Sequence, residues 1–217
     1  MLMKGKTEMQ ERFWLTIDEV MQIKEATMPL IICIVGESGA GKSLSADYLT
    51  HEYGIRLLPS YTDKPRRGND DQEHVFLSER QMDKQMERET LAATKYGDYR
   101  YCCLTDDLQN VNTYVITEDG LEALKQEWDE YMDIYSIRIH RDYDKRLKHA
   151  GKERVERDEG RYKQPDSYFD YVIHNVTDDV NILFADIDKF MTKYRFKNRL
   201  EPYTLLKVEQ EIYDNED

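Results

Sequence analysis

Gly36-Glu37-Ser38-Gly39-Ala40-Gly41-Lys42-Ser43 satisfies the pattern G-x-x-x-x-G-K-S, and its flanks supply the context that this pattern needs. Before it, Pro29-Leu30-Ile31-Ile32-Cys33-Ile34-Val35 is a short apolar, β-branched run of the kind that forms a strand buried on both faces. After it, Leu44 to His51 carries apolar residues at helical spacing. Strand, glycine-rich turn and helix together predict a loop whose successive N–H groups point into one concavity and, with the helix N-terminus, attract phosphate oxygens. In such a loop Lys42 is a point charge for β- and γ-phosphates, and the Ser43 hydroxyl is a ligand for Mg²⁺. Gly36, Glu37, Ser38, Gly39, Ala40, Gly41, Lys42 and Ser43 are therefore the candidate residues for holding the phosphates of a nucleotide.

The chain of 217 residues suits one long domain, or a core with a small insert. With 40% hydrophobic and 35% charged residues it has the composition of a polar-surfaced globular protein. A net charge of −13 argues against a protein whose partner is duplex nucleic acid, because that affinity needs an excess of Lys and Arg. Basic residues are instead concentrated locally, at Lys64, Arg66 and Arg67 and again from Arg141 to Arg161. No apolar stretch approaches the length of a membrane span, and Met1-Leu2-Met3-Lys4-Gly5-Lys6 lacks an apolar signal core, so the expectation is a cytoplasmic protein without a membrane partner. Cys33, Cys102 and Cys103 make no CxxC and no disulfide framework.

Strand and helix patterns alternate along the chain, which predicts an α/β fold with a parallel sheet flanked by helices. Residues 12 to 26 read as an amphipathic helix starting near Thr16-Ile17-Asp18-Glu19. Strands are expected at Leu30 to Val35, Ile55 to Pro59, Val111 to Ile116, Tyr131 to Ile139 and Tyr171 to His174, with Leu91 to Thr94 and Tyr99 to Cys102 forming a hairpin around Gly97-Asp98. Ser60 to Ser78 reads as polar and turn-rich. Helices are expected from Ser78 to Arg88 with Ser78 as cap, from Thr117 to Trp128, over most of Tyr143 to Gln164, and from Val180 to Phe196. Val208 to Asp217 is an acidic tail.

Downstream of the loop, Ser60-Tyr61-Thr62-Asp63-Lys64-Pro65-Arg66-Arg67-Gly68 followed by His74-Val75-Phe76-Leu77-Ser78 resembles the acceptor-binding segment of guanylate kinases, Ser-x-Thr-Thr-Arg-Pro-x-Arg and then Tyr-x-Phe-x-Ser. The resemblance implies that Ser60, Lys64, Arg67 and His74 hold the phosphate of a nucleoside monophosphate. Two cations and several donors suit a phosphate dianion, although Lys64 lacks the bidentate fork of the family arginine. Gly97-Asp98-Tyr99-Arg100-Tyr101-Cys102-Cys103 is similar to the family's Gly-Asn-x-Tyr-Gly-Ser/Thr, which puts Tyr101 at the acceptor phosphate and Cys103 where a base-contacting hydroxyl stands. The family's base-reading glutamate falls near Ala92, where this chain has no acid. The family's Asp-x-Asp-x-x-Gly aligns with Val115-Ile116-Thr117-Glu118-Asp119-Gly120, so both metal-side aspartates are replaced. Glu118 and Asp119 are then either replacement acids or first-turn acids favoured by the helix dipole.

Asp144-Lys145-Arg146-Leu147-Lys148-His149-Ala150-Gly151 resembles the Arg-Leu-x-x-Arg-Gly at the start of the family's lid, with Arg146 matched. Arg154, Arg157 and Arg161 recur at i, i+3 and i+7, a spacing that places three guanidiniums on one helix face, with Asp158 and Glu159 off that stripe. Cations on a closing lid suit phosphoryl transfer, whose charge spreads over the moving group. Tyr171-Val172-Ile173-His174-Asn175 resembles the family's last strand, making Asn175 a donor-side candidate. The resemblance spans about Leu30 to Phe190. It implies a P-loop kinase core with a small acceptor-binding β-rich insert and a helical lid, and an ATP- and Mg²⁺-dependent nucleoside monophosphate kinase active as monomer or homodimer. Lys42, Arg146, Arg157 and Arg161 would serve catalysis, Arg154 and Asn175 the donor, and Ser60, Lys64, Arg67, His74, Tyr101 and Cys103 the acceptor. The expected organisation is an N-terminal helical extension (1–28), a kinase domain (29–197) with its insert at 60–104 and lid at 144–165, and a tail (198–217). A different P-loop small-molecule kinase and a non-catalytic nucleotide-binding protein are the other readings of the same motifs.

Overall fold

In the computed structural model, residues 28–66, 74–159, 161 and 163–194 are described. The expected N-terminal helix at 12–26, Arg67 and the acidic tail lie outside the described residues. The run before the loop forms β1 (Leu30–Gly36), every residue of it buried except the terminal glycine, as its unbroken apolar character demands. β1 is the middle of a five-stranded sheet in the order β2-β7-β1-β8-β9, with β2 at Arg56–Leu57, β7 at Val111–Val115, β8 at Asp133–His140 and β9 at Tyr171–His174. Every pairing in it is parallel. From β1 the chain crosses through the first helix, α1 (Lys42–Tyr53), to the β2 side, while β8 and β9 lie on the other. The loop after β1 thus sits at a topological switch point, where open α/β sheets leave a crevice for ligands.

The two faces of the sheet bury different sets of side chains, because successive strand residues point opposite ways. Leu30, Ile32 and Ile34 of β1, with Ile137 and Ile139 of β8, pack against Ala46 and Leu49 of α1 and against Leu183, Ile187 and Phe190 of α6 (Val180–Lys193). Ile31, Cys33 and Val35 face the other way, with Tyr114, against Leu121 and Leu124 of α3 (Glu118–Trp128) and against Leu91, Ala92 and Cys103 of a second sheet.

That second sheet has the order β4-β3-β6-β5: β3 (Ser60–Thr62), β4 (His74–Phe76), β5 (Thr90–Tyr96) and β6 (Tyr99–Leu104). β5 and β6 are the expected antiparallel hairpin at Gly97. β3 and β4 correct the reading of 60 to 78 as turns alone: each is three residues long, too short for an alternating pattern to declare itself, and they pair parallel to each other. α2 (Glu79–Met86) opens on Ser78 with a complete capping box to Gln81 and covers Cys102 and Leu104 with Met82. The charged segment after β8 is two helices, α4 (Tyr143–Ala150) and α5 (Lys152–Glu159), separated by Gly151 at φ +77. No helix among the described residues is long and apolar enough to cross a membrane.

Candidate functional site

The loop owes its path to close neighbours. A Cβ at Gly36 would stand 2.5 Å from the Ile139 carbonyl oxygen of β8, which no side chain tolerates. Gly39 has φ +80, and a Cβ there would meet the Arg146 carbonyl oxygen at 3.0 Å and the Ala150 methyl at 3.1 Å, so α4 packs directly on the loop. Lys42 Nζ donates to the Glu37 carbonyl oxygen at 3.1 Å, which bends the ammonium back over the loop. Ser43 lies exposed in the first turn of α1. Asn175 is buried, and its Nδ2 donates to the Ala40 carbonyl oxygen at 2.8 Å. Its side chain thereby ties the chain after β9 to the loop backbone.

The segment carrying α4 and α5 closes over the other side of this loop. α5 turns Val155 and Asp158 inward, one turn apart, and leaves Arg154 exposed. The expected stripe of Arg154, Arg157 and Arg161 is therefore corrected: the helix ends at Glu159, Arg161 lies past that end, and the apolar Val155 decides which face packs. Asp158, read as lying off the stripe, makes the central contact. Its Oδ2 accepts the Ser38 backbone N–H at 2.7 Å. Arg157 Nη2 lies 3.2 Å from Asp158 Oδ1 and 3.3 Å from Ser38 Oγ, and Arg161 Nε is 3.9 Å from the same carboxylate. Burial alone would raise the Asp158 carboxyl, but hydrogen bonds from the Ser38 hydroxyl and amide, with Arg161 and Arg157 nearby, outweigh it and hold the group below its ordinary value.

Beside it, Lys163 Nζ meets Glu37 Oε1 at 2.8 Å; burial opposes ionisation there too, and the lysine more than offsets it. Arg146 is buried, its Nη2 on Glu159 at 2.6 Å and its Nε on the Arg141 carbonyl oxygen at 3.1 Å, while Nη1 is buried with no hydrogen-bond partner. A glycine-walled loop beside a buried guanidinium with an unmet N–H is a donor set that suits a polyphosphate. For a divalent cation the donor set is thinner. Ser43 offers a hydroxyl, but Glu118 sets its carboxylate against Arg138 Nη1 at 3.4 Å and against the Gln164 N–H. Among the described residues no group of three His, Cys, Asp or Glu gathers in metal-binding geometry.

The second sheet presents a face of mixed aromatic and basic character. Register places Ser60, Thr62, His74, Phe76, Tyr101 and Cys103 on one side of it. The His74 and Tyr101 rings meet edge to face at 5.8 Å, and the cations of Arg66 and Lys64 lie over Phe76 at 5.0 and 6.0 Å. Ser60, Lys64, His74 and Tyr101 thus lie together, with Phe76 and Arg66 beside them. Cys103 is corrected: it is fully buried in the core with Leu91 and Ala92, and burial pushes its thiol up to about 12, so it offers a ligand no surface. Arg100 locks this face in place. Its Nε and backbone N–H hold Asp63 at 2.6 and 2.7 Å, and Nη1 holds Asp83 of α2 at 2.6 Å.

A second concavity lies at the ends of β8 and β9, where the rings of His140 and His174 stack at 5.2 Å and His140 Nε2 meets Asp166 Oδ1 at 2.7 Å. The paired strand ends, His140 opposite His174, are the signal that sequence reading passed over.

No protein-family model matches the sequence, and a comparison with curated proteins finds no match. Among solved structures, the chain is similar to a guanylate kinase from Anaplasma phagocytophilum, with a TM-score of 0.57 and 15% identity over 80% of this chain and 90% of that one. The likeness is one of fold: a parallel sheet flanked by helices.

Proposed function

We propose that the chain is an ATP-dependent nucleoside monophosphate kinase, transferring the γ-phosphoryl group of ATP to a (deoxy)nucleoside monophosphate, with GMP and dGMP the first acceptors to test by analogy. The observation that carries this reading is the glycine-walled loop at the sheet's switch point, closed from the far side by a segment bearing Arg146, Arg157 and Arg161. Donor phosphates would lie against the loop amides and Lys42. Mg²⁺ accompanying the donor would neutralise charge on its β- and γ-phosphates, with Ser43 as its protein ligand. Ser60, Lys64, His74 and Tyr101, with Arg67, would hold the acceptor phosphate, and the stacked His140 and His174 offer an aromatic surface to a nucleotide base.

In this arrangement the core spans 29–197, the second sheet is the acceptor-binding insert (60–104) and α4 with α5 the lid (144–165). The acceptor phosphate oxygen is already anionic at neutral pH, so the residues need only position and neutralise; no general base is required. A release assay for ADP, run across the common ribo- and deoxynucleoside monophosphates, tests the proposal, and turnover with one or more of them is expected. ATP binding without turnover on any acceptor would sink it in favour of a nucleotide-binding protein without transferase activity. The commitment of Glu118 to Arg138 and the Gln164 amide is the observation that favours this second reading.

A further inference from the structure

A loop built from backbone amides at a helix N-terminus is an anion site before any ligand arrives. In this chain a carboxylate of its own stands there. Asp158 is 2% exposed and accepts the Ser38 N–H at 2.7 Å, the length of a charge-assisted bond. Burying a carboxylate this completely is tolerated only when its charge and lone pairs are met. They are met by the Ser38 amide and by Arg157 at 3.2 Å, with Arg161 at 3.9 Å. Further contacts fasten the same segment: Arg157 to the Ser38 hydroxyl at 3.3 Å, Lys163 to Glu37 at 2.8 Å, and Glu159 to Arg146 at 2.6 Å. The arginines that would serve a transferred phosphoryl group thus face a residue that mimics one.

We propose that Asp158 is an internal anion latch: it holds the lid shut on the empty loop, and an incoming terminal phosphate displaces it and takes over Arg157 and Arg161. The inference rests on the reading of the loop as a polyphosphate site. Two negative groups do not share the Ser38 amide, so phosphate entry and latch release are one event. A nucleoside without phosphates has no anion to exchange and leaves the latch closed. The latch therefore lowers the apparent affinity for a triphosphate by the fraction of time that the lid is open, and leaves nucleoside binding unchanged.

The test uses the full chain and two variants, Asp158→Ala, which removes the carboxylate, and Asp158→Asn, which keeps its shape and one carbonyl acceptor without the charge. Lid opening is read without nucleotide, from the rate of tryptic cleavage at the exposed Lys152, Arg154 and Lys163. Binding is read by calorimetry with a non-hydrolysable ATP analogue, ADP and adenosine. The expected result is lid cleavage faster by about fivefold or more in Asp158→Ala. Triphosphate binding should tighten on the order of tenfold in both variants, as for a latch shut in about nine molecules of ten, with adenosine unaffected. Unchanged cleavage in the variant that folds overturns the latch. Faster cleavage with triphosphate affinity unchanged or weakened overturns the displacement. Faster cleavage in a chain that binds neither ATP analogue nor ADP, wild type included, overturns the phosphate reading of the loop itself, and the displacement with it. Should Asp158→Ala fail to fold, Asp158→Asn carries both measurements.

Discussion

The carboxylate of Glu118 lies 3.4 Å from the guanidinium of Arg138, which is almost wholly buried at 3% side-chain exposure. Glu118 opens α3 just past the end of β7, where an acid could face a metal near the loop. It is also tied to the Gln164 N–H, so it joins α3, β8 and the chain beyond α5. Arg138 keeps company with Asp166 at 3.6 Å and donates to the Gln164 carbonyl oxygen at 2.6 Å. A buried guanidinium needs such partners, because an uncompensated charge in the interior is costly.

Glu118→Gln is therefore a change in stability rather than in metal use. Arg138 retains Asp166 and the Gln164 carbonyl, so the expected loss is about 1–3 kcal/mol, below that of a fully orphaned charge. Chemical denaturation gives the loss. Titrating Mg²⁺ in a nucleotide-binding assay gives the alternative, and a variant of unchanged stability with a raised Mg²⁺ requirement would make Glu118 a metal ligand instead.

Lys42→Ala separates chemistry from folding. The ammonium donates to the Glu37 carbonyl oxygen, and its side chain is only partly buried. Stability should change by less than about 0.5 kcal/mol, as for substitutions outside a packed network. Phosphoryl transfer should fall on the order of 100-fold or more, the usual cost of deleting a preorganised group at developing charge. Wild-type turnover in this variant would remove the loop from the proposed mechanism.

Much of the core was legible because its signals are local. Leu30–Gly36 is apolar throughout, Ser78 and Gln81 form a capping box three residues apart, and Gly97 supplies φ +60 at the hairpin. The orientation of α5 is less legible, because the decision is not local. Arg154, Arg157 and Arg161 form a regular charge pattern, yet Val155 is the apolar residue of α5 and its burial rotates the helix so that Asp158 faces the loop. The partner that makes Asp158 important, Ser38, is 120 residues away in sequence. The Asn175 amide reaches the Ala40 carbonyl across 135 residues of sequence, a packing distance that no spacing rule carries. β3 and β4 escaped for a different reason: three residues complete barely one alternation.

Acid should weaken the chain through its paired carboxylates. Burial raises the Asp63 carboxyl, but the Arg100 amide and guanidinium pull it the other way more strongly, and the net shift is down; Asp158 and Glu37 are lowered as well. A group whose folded value is below its unfolded one contributes stability that is complete above the unfolded value, near pH 4, and lost as pH falls through the folded value. Thermal midpoints should hold steady above about pH 5 and decline below it. Asp63→Asn should lower the neutral-pH plateau by about 1–3 kcal/mol and make the acid decline shallower. A decline of the same steepness in this variant would mean that other groups carry it.

The three cysteines provide a check on the corrected place of Cys103. Thiolate, not thiol, reacts with disulfide reagents, so reactivity needs both access and a low enough ionisation value. Cys33, Cys102 and Cys103 are each 0% exposed. Burial pushes the Cys102 thiol up to about 11 and Cys103 to about 12, and it raises Cys33 further, against the opposing pull of Lys125. At pH 8 the native chain should therefore react with an aromatic disulfide at a rate lower by about 100-fold or more than an open thiol, and all three sulfurs should react together in denaturant. Because Cys103 is buried in one core cluster with Ala92 and Tyr114, acceptor nucleotides should give it no additional protection. Rapid labelling of Cys103 in the native chain, suppressed by a nucleoside monophosphate, would return that residue to the acceptor site.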